Sequence, residues 1–201
     1  MADRQQTDQP AAKNGLTFDG DPRRQYLFAY GADMHPEQIR ERCSRPVALG
    51  PARLPGYAIG FYGHSDIWDG AVETAVPTPG SALWGVLYEL TFTDALRLDE
   101  WHDARLDGAG SFFHFPVRVE SAGGELRTAL LYKKDVLGAP QPPSREYLDF
   151  IVQGALERGL PQAYTEALRR TATREAAYAV PQHSEMMREL RVVTSCTECG
   201  G

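Results

Sequence analysis

The stretch Tyr26-Leu27-Phe28-Ala29-Tyr30-Gly31-Ala32-Asp33-Met34 constrains the fold more than any other. An apolar, aromatic run of strand length breaks at Gly31, and His35-Pro36 then opens a helical segment containing Ile39 and Arg40. A strand, a tight glycine turn and a helix start aim freed backbone N–H groups at whatever lies above the turn. This is the best candidate for a binding loop.

The rest of the chain supplies strands and short helices around it. Tyr57 to Tyr62 reads as a strand bounded by Gly56 and Gly63, and Leu83 to Leu90 as the strongest strand, with Trp84, Val86 and Tyr88 at alternate positions. Between them, Gly70 to Val76 places Val72, Thr74 and Val76 on one face and Ala71, Glu73 and Ala75 on the other, and Thr78-Pro79-Gly80 reads as a turn. Thr93 is placed to cap a short helix whose Ala95, Leu98, Trp101 and His102 share a face. His114 to Val119 and Leu126 to Tyr132 form a hairpin around Ala122-Gly123-Gly124. Ser144 to Leu156 and Gln162 to Arg170 are helices separated by Gly159-Leu160-Pro161. Strands with inserted helices, followed by a helical pair, make an α+β domain and no βαβ repeat.

Three regions follow from this order. Residues 1–24, polar and with little to bury, read as a disordered leader. Residues 25–172 form the folded domain. Residues 173–201 are an extension in which Ser184 to Leu190 could supply a helical turn or two, ending in a free Cys196-x-x-Cys199-Gly200-Gly201 tail. With a net charge of −6 and no concentrated Lys/Arg run, a nucleic-acid surface is not expected. No apolar run approaches the ~20 residues that span a bilayer, and three cysteines make no disulfide framework. The expectation is a reduced, cytoplasmic protein that acts on a small molecule, with no membrane and no cofactor.

Taken together, these landmarks resemble the γ-glutamylcyclotransferase (AIG2-like) family. The matching stretches are Phe28 to Met34, Gly50 to Tyr57, Gly70 to Val76, Trp84 to Leu90, Leu98-Asp99-Glu100, Tyr132, and Gly154-Ala155 through Gly159-Leu160-Pro161. The resemblance implies a mixed β-barrel flanked by short helices. It also implies a loop, here Tyr30, Gly31, Ala32, Asp33 and Met34, that holds a γ-glutamyl group through backbone N–H groups. A glutamate base then frees the substrate α-amine to attack the γ-carbonyl and close 5-oxoproline. An ammonium has no lone pair to attack with, so a base is required, and donors must face the carbonyl oxygen as charge develops.

Three positions depart from that pattern. The loop carries Ala32-Asp33 where the family has Ser-Asn, and an aspartate there would attract an amine and repel a carboxylate, unless it is an ordinary turn residue. The family's catalytic glutamate aligns with His102, whose unperturbed pKa near 6.5 suits a base. Its other assignment is a helix-end histidine satisfied by a carbonyl or by Asp99. A tyrosine expected slightly later meets Phe112 and Phe113. Glu73 stands in a strand where the family has a small residue: a relocated base if its face lines the pocket, or a solvated charge, the plainer assignment, if it does not. Tyr132 could donate a hydrogen bond into the pocket, or serve as a half-buried strand aromatic. Trp84 and Tyr88 are assigned to packing, and Cys43 to a structural thiol.

Two further readings change the chemistry. One keeps the barrel for a lyase or amide-bond enzyme of another substrate class, with His102 as base and Asp33 holding an amine. The other is a non-catalytic binding or sulfur-carrier-type protein working through Cys196 to Gly201, with a protein partner for that tail. The Cys-x-x-Cys spacing suits half of a zinc site or a redox pair, but a structural zinc wants four ligands, and no metal site is assigned.

Overall fold

The computed structural model describes residues 24–105, 107–134 and 137–183. Five strands, β1 (Arg24–Ala29), β2 (Val47–Ser65), β3 (Gly70–Thr91), β4 (Phe113–Ser121) and β5 (Leu126–Lys133), close a barrel in the order β1-β3-β2-β4-β5. All neighbours are antiparallel except β1 and β5, which meet in parallel at Leu27 and Leu130 and close the ring. Four helices flank it: α1 (Pro36–Arg42), α2 (Phe92–His102), α3 (Arg145–Glu157) and α4 (Gln162–Arg169). This is the expected mixed, α+β barrel with short helices.

Two strands expected as separate pieces are halves of one long strand, and Tyr57 to Tyr62 is part of the longer β2. Leu83 to Leu90 and Gly70 to Val76 both belong to β3, and Thr78-Pro79-Gly80 does not end a strand. Pairing steps from Pro55↔Ala82 to Tyr57↔Pro77, so the extra residues of β3 loop out as a bulge while the hairpin continues. Gly56 and Gly80 take positive φ there, 79° and 82°, which glycine adopts without a Cβ penalty.

Side-chain alternation sorts the core into two layers. Phe28, Leu54, Ala75, Leu83, Leu87, Val119 and Leu131, drawn from all five strands, fill the barrel. Leu27, Ala29, Val86, Tyr88 and Leu90 lie in the layer that α1, α2 and α3 cover with Ile39, Leu98, Tyr147, Ile151 and Ala155. Fully burying a side chain of this size contributes about 1.5–3 kcal/mol, so both layers hold the barrel's shape.

Helix starts follow local chemistry with one shift. Pro36 occupies the first turn of α1, and Ser144 caps α3 by accepting the Tyr147 N–H. In α2 the cap is Thr91, not Thr93: its hydroxyl accepts the Asp94 N–H at 3.1 Å. Asp94 is fully buried, and its carboxylate receives Ser44 N–H, Ser44 Oγ–H and Arg45 N–H, tying α1's exit to α2.

After α4 the chain returns along the β2–β3 connection. Arg174 N–H donates to Pro143 O, Ala177 N–H to Asp69 Oδ2 at 2.6 Å, and Gln182 N–H to Ile67 O. The expected turns at Ser184 to Leu190, the Cys196 to Gly201 tail and residues 1–23 lie outside the described residues.

Candidate active site

β1 runs straight into the site. After Ala29 the chain passes through Tyr30 and Gly31 into a 3-10 turn, Ala32–Met34, and then into α1. The turn lies under α3, where Gly154 allows the backbones to meet: a Cβ there would lie 2.7 Å from His35 N. The His35 ring stacks on Phe150 of α3, centroids 4.1 Å apart. A small cavity, partly open to solvent, lies above Gly31, lined by Tyr30, Gly31, Asp33, Glu73, His102, Phe112 and Tyr132 together with Leu27, Phe28 and Ala29.

Glu73 is not a solvated charge. Glu73 lines the cavity, and its carboxylate meets the turn directly. Its Oε1 accepts Ala32 N–H at 3.2 Å, and Oε2 accepts the Tyr147 hydroxyl from α3. A Cβ on Gly31 would fall inside the volume of that carboxylate, so a side chain here would have to displace Glu73, whereas φ, at −124°, sets no demand for glycine. Burial, and then the Glu73 charge, push the Tyr147 hydroxyl well above its ordinary pKa, keeping it protonated as a donor.

Asp33 and His102 form a pair. Asp33 Oδ2 lies 2.6 Å from His102 Nε2, while Oδ1 receives Arg42 Nη1 at 2.5 Å and Gln38 Nε2 at 3.3 Å. Asp33 is 6% exposed. Burial alone would raise its pKa, but the Arg42 charge, and after it His102, hold the carboxyl well below the usual carboxylate range. Both oxygens are therefore engaged, and Asp33 does not offer a free carboxylate to an amine. Through Nε2, His102 is thus paired with the loop itself and not with Asp99.

The His102 ring is sandwiched in place. It stacks on Tyr132 with centroids 4.1 Å apart and meets the edge of Phe112 at 5.5 Å. The Tyr132 hydroxyl turns away to Asp99 Oδ1 at 2.7 Å, an oxygen that His114 Nε2 also approaches at 2.6 Å. Tyr132 thus lines the cavity with its ring face and does not donate into it.

Of the remaining loop residues, Tyr30 acts through its hydroxyl and Met34 through its carbonyl. The Tyr30 hydroxyl is buried, donating to Tyr132 O at 2.5 Å and accepting Ala75 N–H at 3.1 Å. Met34 is fully buried among the helices, and its carbonyl accepts from Tyr88 and Arg158. Trp84 and Tyr88 pack, as expected, and Cys43 is buried with its thiol raised by burial.

Sequence reasoning missed Arg42 and Tyr147. Each had a signal: Arg42 follows Ile39 by three residues, and Tyr147 precedes Ile151 by four, so both fall on buried helical faces where a polar group needs a partner.

Comparison with known proteins agrees with this fold. Residues 82–168 match the model of the AIG2-like family. The γ-glutamylcyclotransferase of Mus musculus is 30% identical over 163 residues, covering 79% of this chain and 81% of that protein. The Homo sapiens γ-glutamylcyclotransferase is 30% identical over 146 residues, covering 71% and 76%. A solved γ-glutamyl cyclotransferase structure superposes with a TM-score of 0.73 at 27% identity, covering 83% of this chain and 97% of that one.

Proposed function

Because the chain belongs to the γ-glutamylcyclotransferase family, we propose that it takes a γ-glutamyl amide or amine into the cavity above Gly31 and releases 5-oxoproline. The observation that carries this reading is the His102–Asp33 pair, set beside the Gly31 turn where the family's glutamate would stand.

His102 is the base. It takes a proton from the substrate α-ammonium, and the freed amine attacks the γ-carbonyl, forming the ring C–N bond and moving the carbonyl electron pair onto oxygen. Collapse of that intermediate breaks the bond to the leaving amine, which takes the proton held by His102, while the ring nitrogen gives up its second proton through the same imidazole to leave the lactam N–H and an ammonium product. Asp33, held ionised by Arg42, fixes the ring through Nε2 and stabilises the imidazolium that forms between the two proton transfers. This leaves the other ring nitrogen for the substrate. Glu73 faces the same cavity with lone pairs still free on both oxygens and anchors the α-ammonium, the task that Asp33 is too fully paired to perform. Phe112 and the Tyr132 ring hold the imidazole in orientation.

Incubation with γ-glutamyl amines and dipeptides, followed by detection of 5-oxoproline, tests the reading. Release from at least one donor, lowered about 10²–10⁴-fold by His102→Ala, is expected. Absence of 5-oxoproline from every donor overturns it. His102→Glu, which restores the family's residue type, is expected to retain part of the activity.

One observation favours a second reading, a lyase or amide-bond enzyme of another substrate class on the same barrel: the Ala32 N–H is engaged by Glu73 instead of being open to substrate. Cleavage of an amide without 5-oxoproline among the products, lost in His102→Ala, distinguishes it.

A further inference from the structure

The self-occupied turn raises a question about the rest of a γ-glutamyl substrate. Such a group carries an α-carboxylate as well as the α-ammonium, and a carboxylate brought out of water needs a cation or several N–H donors. At the turn, the Ala32 donor already holds Glu73. Arg42, the buried cation nearest the loop, is committed to Asp33, and its guanidinium stacks on Trp101 at 3.8 Å. Neither is free for an incoming anion.

A different cation lies against Phe112, one of the rings that line the cavity. Lys134 follows β5 directly, its backbone N–H donating to Thr74 Oγ1 at 3.0 Å, one residue from Glu73. Its ammonium lies 4.7 Å from the centre of the Phe112 ring, and Phe112 lines the cavity and touches His102 with its edge. The ammonium also runs near Gly63, where a Cβ would lie 3.9 Å from Nζ, in ordinary contact. Lys134 is partly buried, and among the described residues its ammonium makes no ion pair within 4.0 Å. Burial lowers its pKa and the Glu73 charge, acting through the intervening space, raises it, so the ammonium lies within the electrostatic reach of a cavity-lining group.

We propose that Lys134 is the carboxylate-binding residue of this cavity: its ammonium pairs with the substrate α-carboxylate, Glu73 with the α-ammonium, and His102 works between them. This rests on the reading of the substrate as a γ-glutamyl compound, and it makes Lys134 a specificity determinant. Donors with a free α-carboxylate are accepted, and α-carboxamides are disfavoured.

The test compares a γ-glutamyl donor with its α-carboxamide counterpart in the unaltered protein, Lys134→Met and Lys134→Arg. Lys134→Met is expected to raise KM for the carboxylate donor about tenfold with kcat within about twofold, and to erase the preference over the carboxamide; Lys134→Arg restores most of it. An unchanged KM, or equal losses on both donors, overturns the assignment. Glutarate, which carries the carboxylates but no scissile bond, supplies a readout independent of turnover. Its binding to the unaltered protein, followed by calorimetry, should weaken about tenfold in Lys134→Met, and binding that is absent or indifferent to Lys134 overturns the proposal. Lys134-dependent glutarate binding without 5-oxoproline release from any donor would leave the anion site standing and remove the cyclotransferase reading.

Discussion

Asp33 reaches His102 Nε2 at 2.6 Å with one oxygen and Arg42 Nη1 at 2.5 Å with the other, so one buried carboxylate couples the turn, α1 and α2. Asp33→Asn keeps the shape and removes the charge, leaving Arg42 buried without its counter-ion. Breaking a buried pair from one side costs about 3–5 kcal/mol, which urea denaturation will register. In the fraction that folds, kcat for 5-oxoproline formation should fall at least tenfold with KM little changed, because the imidazole loses its orienting partner. A variant with full kcat would remove Asp33 from the mechanism.

The same carboxylate sets part of the acid sensitivity. Its folded pKa is depressed, burial being outweighed by Arg42 and His102. Stability from a depressed carboxyl is fully present above its unfolded value of about 4 and is lost as pH falls from there toward the folded value. Unfolding free energy should therefore decline below about pH 4, and in Asp33→Asn the decline should be shallower. Equal slopes in the two proteins would assign the acid sensitivity to other carboxylates.

Gly31 and Glu73 compete for one space. Gly31→Ala should destabilise by about 1–3 kcal/mol through overpacking, since the methyl group falls on the Glu73 carboxylate. Shortening the neighbour removes the conflict, so Gly31→Ala/Glu73→Ala should be more stable than the sum of the two single changes predicts, by about 0.5–3 kcal/mol. Strict additivity in denaturation midpoints would show that the two residues do not share the space.

Tyr132 separates ring from hydroxyl. Tyr132→Phe keeps the stack on His102 and leaves Asp99 with His114, so activity should stay within a few-fold and stability drop by about 1 kcal/mol. Tyr132→Ala removes the stacking face, and both should suffer far more, stability by about 3–5 kcal/mol. Steady-state kinetics on the two variants decides the matter, and equal losses would place the function in the hydroxyl.

The barrel was readable because its signals are local: an apolar run, a glycine turn and alternation each declare themselves within a few residues. The bulge at Thr78-Pro79-Gly80 misled for the same reason, since turn chemistry is local while the continued pairing of Tyr57 with Pro77 is not. At the site, the sequence displayed Asp33, Glu73 and His102 but not their partners. The alternation around Glu73 showed two faces without saying which was inner. That was settled by the turn, whose Ala32 N–H donates to the Glu73 carboxylate. The pairing of Asp33 with Arg42 depends on how α1 leaves the turn, and that of Glu73 with Tyr147 on how α3 docks through Gly154. Such contacts between distant segments carry no periodicity of their own.

β1 enters the barrel between β3 and β5, both far along the chain, whereas β2 and β3 meet as a hairpin of near neighbours. Loop closure makes distant pairings slower than local ones, so the long hairpin can form early while β1 waits for two partners. The turn that carries Gly31 and Asp33 hangs on that strand. Catalytic competence should therefore appear only in the last phase of refolding, and a partly folded chain, however rich in β structure, would be inert toward its substrate.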